Sequence, residues 1–195
     1  MPFDRNSINL IARGDQKKFR QLMECTSDEL FLFAMGFLRR REIAEEIVSD
    51  VFVKTWENRT KLWKISNLKA YLFVSVKNAC ISHIRKEKND KVISIDGMEN
   101  FWFIPVECPE TEYISKETLA QIHKAIDKLP PKCKMAFTLA KINGMKYKEI
   151  AEVMEVSEKT VNNHLVYAIK KITVLLGIKN RKKHKAQPFK QASLF

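Results

Sequence analysis

The sequence predicts an all-α fold of two small helical domains joined by a flexible linker. Three observations carry this. Glycine and proline, which break helices, number only 5 and 6 in 195 residues. Apolar residues recur at i, i+3, i+4 and i+7 over long stretches of both halves. Between them, the segment 89–114 loses that period and gathers Asp96, Gly97, Glu99, Pro105, Glu107, Pro109, Glu110 and Glu112. The expected division is a first domain over 1–88, an acidic linker over 89–114, a second domain over 115–178 and a basic tail over 179–195.

In the first domain, Asp15 is placed to cap a helix carrying Phe19, Leu22 and Met23. Ser27, Asp28 and Glu29 read as the start of a second helix, with Leu30, Phe33, Ala34 and Phe37 along one side. The run Arg39 to Glu42 turns the chain. Ala44, Ile47, Val48, Val51, Phe52 and Thr55 then form one buried stripe, with Glu45, Glu46, Ser49, Asp50, Lys54 and Glu57 mostly outside it. A polar stretch, Asn58 to Asn67, sets Trp63 among Arg59, Lys61 and Lys64. A further helix over about Leu68 to Lys86 buries Leu68, Leu72, Val76, Ala79, Cys80 and His83. It turns Tyr71, Asn78, Arg85 and Lys86 outward. His83, on the buried side, reads as structural. The aromatic run Phe101-Trp102-Phe103 is unusual for a tether and suggests a docked segment.

In the second domain, Leu119, Ile122, Ala125, Ile126 and Leu129 make a helical face that ends at Pro130. Pro131 suits the first position of the next helix, which carries Met135, Ala136, Leu139 and Ala140. Asn143-Gly144 stops it. The segment Tyr147 to Leu165 reads as a helix-turn-helix. Ile150, Ala151 and Met154 face inward, Glu155-Val156 forms the turn, and Ser157 caps the second helix. Winding that helix puts Val161, Leu165, Ala168, Ile169 and Ile172 inside. Lys159, Asn163, Val166, Tyr167 and Lys170 lie outside, with Asn162 and His164 at the flanks. Amides, a cation, an aromatic ring and exposed apolar atoms suit a reader of base edges in the major groove. Lys146, Lys170 and Lys171 suit phosphate contacts.

The formal charge of +12 favours a polyanionic partner, nucleic acid or an anionic membrane surface. No stretch of about 20 apolar residues offers a membrane span, and no signal-peptide run follows the start. A cytoplasmic protein with no stable membrane insertion is expected. Cys25, Cys80, Cys108 and Cys133 lack metal-ligand spacing and read as small buried thiols of a reducing compartment. Neighbouring cations around Cys133-Lys134 favour a lowered thiol pKa there. No phosphate loop, nucleophile motif or carboxylate pair stands out. The expectation is therefore no enzyme, no catalytic residue, no cofactor, no metal and no small-molecule substrate.

Taken in order, the motifs resemble bacterial RNA polymerase sigma factors of the sigma-70 family, extracytoplasmic-function (ECF) type. Gly14-Asp15 with Phe19 and Leu22 opens the match. The run Ala44 to Trp56 resembles the family's acidic helix, which binds the clamp coiled coil of the polymerase. Asn67 to Lys86 resembles the helix that handles the −10 element, and Ile126 to Leu165 the domain that reads the −35 element. The resemblance spans about residues 5–177.

It implies a sigma factor that binds core RNA polymerase and promoter DNA, directs initiation at −10 and −35 elements, and is held inactive by an anti-sigma factor. It assigns polymerase binding to Glu46, Ser49, Asp50 and Phe52. It assigns −10 recognition and melting to Lys61, Trp63, Lys64, Asn67, Tyr71, Asn78, Arg85 and Lys86. The −35 recognition set is Lys159, Thr160, Asn162, Asn163, His164, Val166, Tyr167, Lys170 and Lys171. For Trp63 two roles stand open, capture of a flipped −10 base and capping of the core. Ser49 stands where the family commonly has glutamine, and Asn162, Asn163 and His164 where many relatives carry arginines. The alternative is a helix-turn-helix transcriptional activator of the response-regulator output type. That reading lacks an alternating strand-helix pattern in the amino-terminal half.

Overall fold

A computed structural model describes residues 4–87, 101 and 116–178. Every regular element among the described residues is helical: α1 (Arg5–Ala12), α2 (Gln16–Leu38), α3 (Arg41–Glu57), a 3-10 turn (Arg59–Lys64), α4 (Leu68–Glu87), α5 (Lys116–Asp127), α6 (Pro131–Lys141), α7 (Tyr147–Met154) and α8 (Glu158–Leu175). The all-α expectation holds for them.

The first unit differs from the sequence reading in two places. A short helix, α1, precedes Asp15. The Asp4 carboxylate caps it, accepting from the Ser7 amide at 2.9 Å. Ile8 and Ile11 of α1 are fully buried. Second, α2 is one uninterrupted helix, and Ser27, Asp28 and Glu29 lie in its middle. Leu22, Thr26, Leu30, Phe33 and Phe37 are all buried on it. They stand four, four, three and four residues apart, so the two apolar stripes are in phase and burial overrides the local start signal. Thr26 hides its hydroxyl by donating to the Leu22 carbonyl at 2.7 Å. Arg39 ends α2 in the left-handed region, φ +55°.

All six residues of the expected α3 stripe are buried. The helix α4 is buried more widely than one face. It packs on α2 and α3 on one side and on α7 of the second unit on the other. Ala70, Phe73, Lys77 and Ile81 are therefore buried along with Leu68, Leu72, Val76 and Cys80, while Ala79 and His83 are only part-buried. Phe101 does dock. It is 2% exposed, with its ring centroid 5.7 Å from that of Phe33 and 5.2 Å from that of Phe37. Trp102, Phe103 and the rest of the expected linker lie outside the described residues, as does the tail beyond Ile178.

In the second unit Pro131 occupies the first turn of α6, as its fixed φ favours. Gly144 takes φ +59° after α6, a conformation costly for residues with a Cβ. Ile126, Leu129, Cys133 and Ala168 knit α5 and α6 to α8. Met135, Leu139, Ile150, Val153 and Met154 join the buried cluster of the first unit, so the two units share one apolar contact surface.

Candidate nucleic-acid interface

The helix-turn-helix is built by local chemistry. The Lys146 amide donates to Glu149 Oε2 at 2.7 Å, which anchors the start of α7. Glu155 takes φ +54° and makes the turn. The Ser157 hydroxyl accepts from the Thr160 amide at 3.1 Å and caps α8. Val161, Leu165 and Ala168 fix α8 against the unit.

That packing leaves Lys159, Asn162, Asn163, Val166, Tyr167, Lys170 and Lys171 exposed. Val166 and Tyr167 stand 42% and 47% exposed, which is large for apolar groups on a helix that also carries amides and cations. Ile169, expected inside, is also exposed: α8 crosses its neighbours at Val161, Leu165 and Ala168, and position 169 falls outside that seam. Two residues of the expected reading set point elsewhere. Thr160 shares a 2.8 Å hydroxyl contact with Ser157 at the cap. His164 is part-buried, with Nδ1 3.5 Å from Cys133 Sγ. Burial holds the His164 imidazole below its ordinary value, and Lys132 adds to that.

The stretch after α3 winds into the 3-10 turn. Leu62 plugs the core and Trp63 stands 53% exposed. The indole is therefore not a core cap. Lys64 Nζ lies 5.3 Å from its ring centroid, and the Arg59 guanidinium stacks over Trp56 at 4.6 Å. Lys61 and Lys64 are exposed beside it. Asn67 is part-buried and caps α4, its Oδ1 accepting from the Ala70 amide at 3.0 Å. On α4, Asn78 and Lys86 are exposed, while Tyr71 and Arg85 are part-buried.

Two grooves flank α3 and divide the acidic set. Glu46 and Asp50 face the groove against α4, a space of about 490 Å³ shared with Lys54, Tyr71, Asn78 and Lys86. Ser49 and Phe52 line the groove against α2, a more apolar space of about 570 Å³ that includes Phe19, Met23, Val53 and Trp56. Phe52 is only 4% exposed and packs edge-on to Phe19, so it is chiefly a wall of the core. The accessible apolar atoms belong to Met23 and Val53, which sequence reasoning did not select. Val53 carried a signal in being apolar yet off the α3 stripe. Met23, placed on the apolar side of α2, carried none.

The cysteines divide as well. Cys80 is buried, and burial pushes its thiol up to about 12. Burial also raises Cys133, which overturns the expectation of a lowered pKa among cations. Cys25 is exposed, against the expectation of a buried thiol, and Cys108 lies outside the described residues. Among the described residues no helix is long and apolar enough to cross a membrane.

Comparison with known proteins agrees with this architecture. Residues 22–89 match the model of sigma-70 region 2, and residues 119–172 that of sigma-70 region 4. The ECF RNA polymerase sigma-E factor of Haemophilus influenzae is 24% identical over 173 residues, covering 85% of this chain and 90% of that protein. The ECF RNA polymerase sigma factor SigM of Bacillus subtilis is 23% identical over 155 residues, covering 80% and 93%. Among solved structures, the sigma factor RpoE of Bartonella quintana, crystallised with the anti-sigma factor NepR, superposes with a TM-score of 0.60. It shares 25% identity over 84% of this chain and 99% of that one. Two sigma-70 regions in this order define the class. Within it, the chain belongs to the ECF sigma factors of the sigma-70 family.

Proposed function

We propose that this protein binds core RNA polymerase and directs initiation at promoters with −10 and −35 elements, acting by binding alone. The observation that carries the reading is Trp63: an indole exposed among cations on a turn whose Leu62 already fills the core. An exposed aromatic face beside lysines is what captures an unstacked base. Such capture offsets the few kcal/mol that unstacking costs, so that a duplex opens without a chemical fuel. Lys61 and Lys64 contact the adjoining phosphates, and Asn67, Tyr71, Asn78, Arg85 and Lys86 continue the path along α4. Across the second unit, Asn162, Asn163, Val166 and Tyr167 read −35 base edges, while Lys159, Lys170 and Lys171 contact phosphates. Thr160 supports the reading helix from its cap, and His164 from its buried flank.

The polymerase docks across α3. Ser49, Met23 and Val53 supply an apolar seat, and Glu46 and Asp50 supply acids that complement a basic partner surface. The Bartonella quintana structure pairs a sigma factor with an anti-sigma factor, which supports a partner of that kind here.

Trp63→Ala tests the melting role. With core polymerase, the variant is expected to lose most open-complex formation on duplex promoter DNA, read by permanganate reactivity of −10 thymines. It should keep its activity on a template whose −10 segment is already mismatched. Equal losses on both templates would contradict base capture by Trp63.

A further inference from the structure

Three polar contacts join the two units, and in each the first unit donates. Asn67 Nδ2 donates to Glu149 Oε1 at 2.8 Å, Lys69 Nζ to the Asn143 carbonyl at 2.8 Å, and Lys77 Nζ to Glu155 Oε1 at 2.6 Å. Lys77 is 3% exposed, although it sits on α4 among Phe73, Val76 and Cys80. An ammonium is costly to bury unless paired, so this face is not shaped for apolar packing alone. Glu155 occupies a left-handed turn position that favours glycine, and it carries there the one carboxylate that reaches Lys77.

The acceptors of Asn67 and Lys77 are carboxylates, and the donors are of the kind that hold nucleic-acid phosphates. Lys69 has a second partner, Glu29 Oε2 at 2.8 Å, and stays held without the contact. Asn67 stays oriented by its cap to Ala70. Asn67 and Lys77 are therefore the two groups able to change partner when the units part.

We propose that Glu149 and Glu155 of the helix-turn-helix unit act as an internal competitor for DNA, closing over Asn67 and Lys77 of α4 in the free protein. The competition rests on the reading of α4 as the −10 helix. One Nζ cannot serve both a carboxylate and a phosphate, so closure and strand binding exclude each other. Because both faces belong to one chain, the acids meet the donors at an effective concentration on the order of millimolar. Free protein then ignores stray DNA. Polymerase, by holding the two units apart, exposes Lys77.

The test compares the full-length protein without polymerase with the variant Glu149→Gln, Glu155→Gln. Glutamine at 149 keeps the reach to the start of α7. A control, Glu24→Gln with Glu117→Gln, makes the same charge change on exposed acids of α2 and α5. Two readouts are taken: radius of gyration by small-angle scattering, and affinity for a mixed-sequence single-stranded oligonucleotide. The expected result is expansion beyond the roughly 16 Å of a compact chain of this length. It is joined by a gain in affinity of about five- to tenfold over the control, at the low end of couplings between linked sites. An unchanged radius overturns the closure. Expansion with no gain over the control overturns the competition. Either failure is separate from failure of the −10 reading, which shows in the Trp63→Ala transcription result and not in the radius.

Discussion

His164 shows how a single side chain divides between two tasks. It lies on the recognition helix, but its Nδ1 faces Cys133 and its pKa sits below the ordinary imidazole value of 6.5. In the window between the folded and unfolded values, the unfolded chain binds more protons than the folded one. Stability therefore rises with pH through that window and falls as pH drops through it. Denaturant melts at pH 7.5 and 5.5 should show a larger acid-induced loss for the wild type than for His164→Asn. Equal losses would mean that the histidine contributes nothing to the pH dependence. The position of His164 on the helix was legible from the 100° winding. Its engagement was not, because Cys133 is distant in sequence and meets it only through the packing of α6 on α8. The same holds for Lys77. Nothing local marks it as buried, since its burial depends on a helix from the other unit.

At the level of elements, the helix-turn-helix was readable because its determinants are local: a cap at Ser157, a turn at Glu155, and apolar residues at Ile150, Met154, Val161 and Leu165. Ser157→Ala removes the acceptor of the Thr160 amide and should lower stability by about 1 kcal/mol. Chemical denaturation checks this, and a loss within about 0.5 kcal/mol, the ordinary range of surface substitutions, would show that the cap is dispensable. Where tertiary burial governs, the sequence misled. The α2 helix runs through Ser27, Asp28 and Glu29 because its stripes stay in phase on both sides, and α1 was missed because eight residues carry too little period to declare a helix. On α3 the stripe was plain, but the split of its polar side between two grooves depends on where α2 and α4 lie.

For the whole molecule, two helical units meet across α4 and α7, and one residue of the connecting segment, Phe101, is set into the first unit beside Phe33 and Phe37. The aromatic run hinted at docking, yet its destination required the fold. The net charge of +12 pointed to a polyanion. The arrangement of the acids gives that excess a use, with Glu46 and Asp50 beside α4 and Glu149 and Glu155 across the unit boundary. The central claim, that these units together direct promoter-specific initiation, is tested most directly by run-off transcription from a pool of genomic fragments with purified core polymerase, with and without the protein. Transcripts starting at discrete sites only when the protein is present, with shared sequences near −10 and −35 upstream of them, are the predicted result. A core enzyme that another sigma factor activates, but that yields no discrete starts with this protein, would contradict the account.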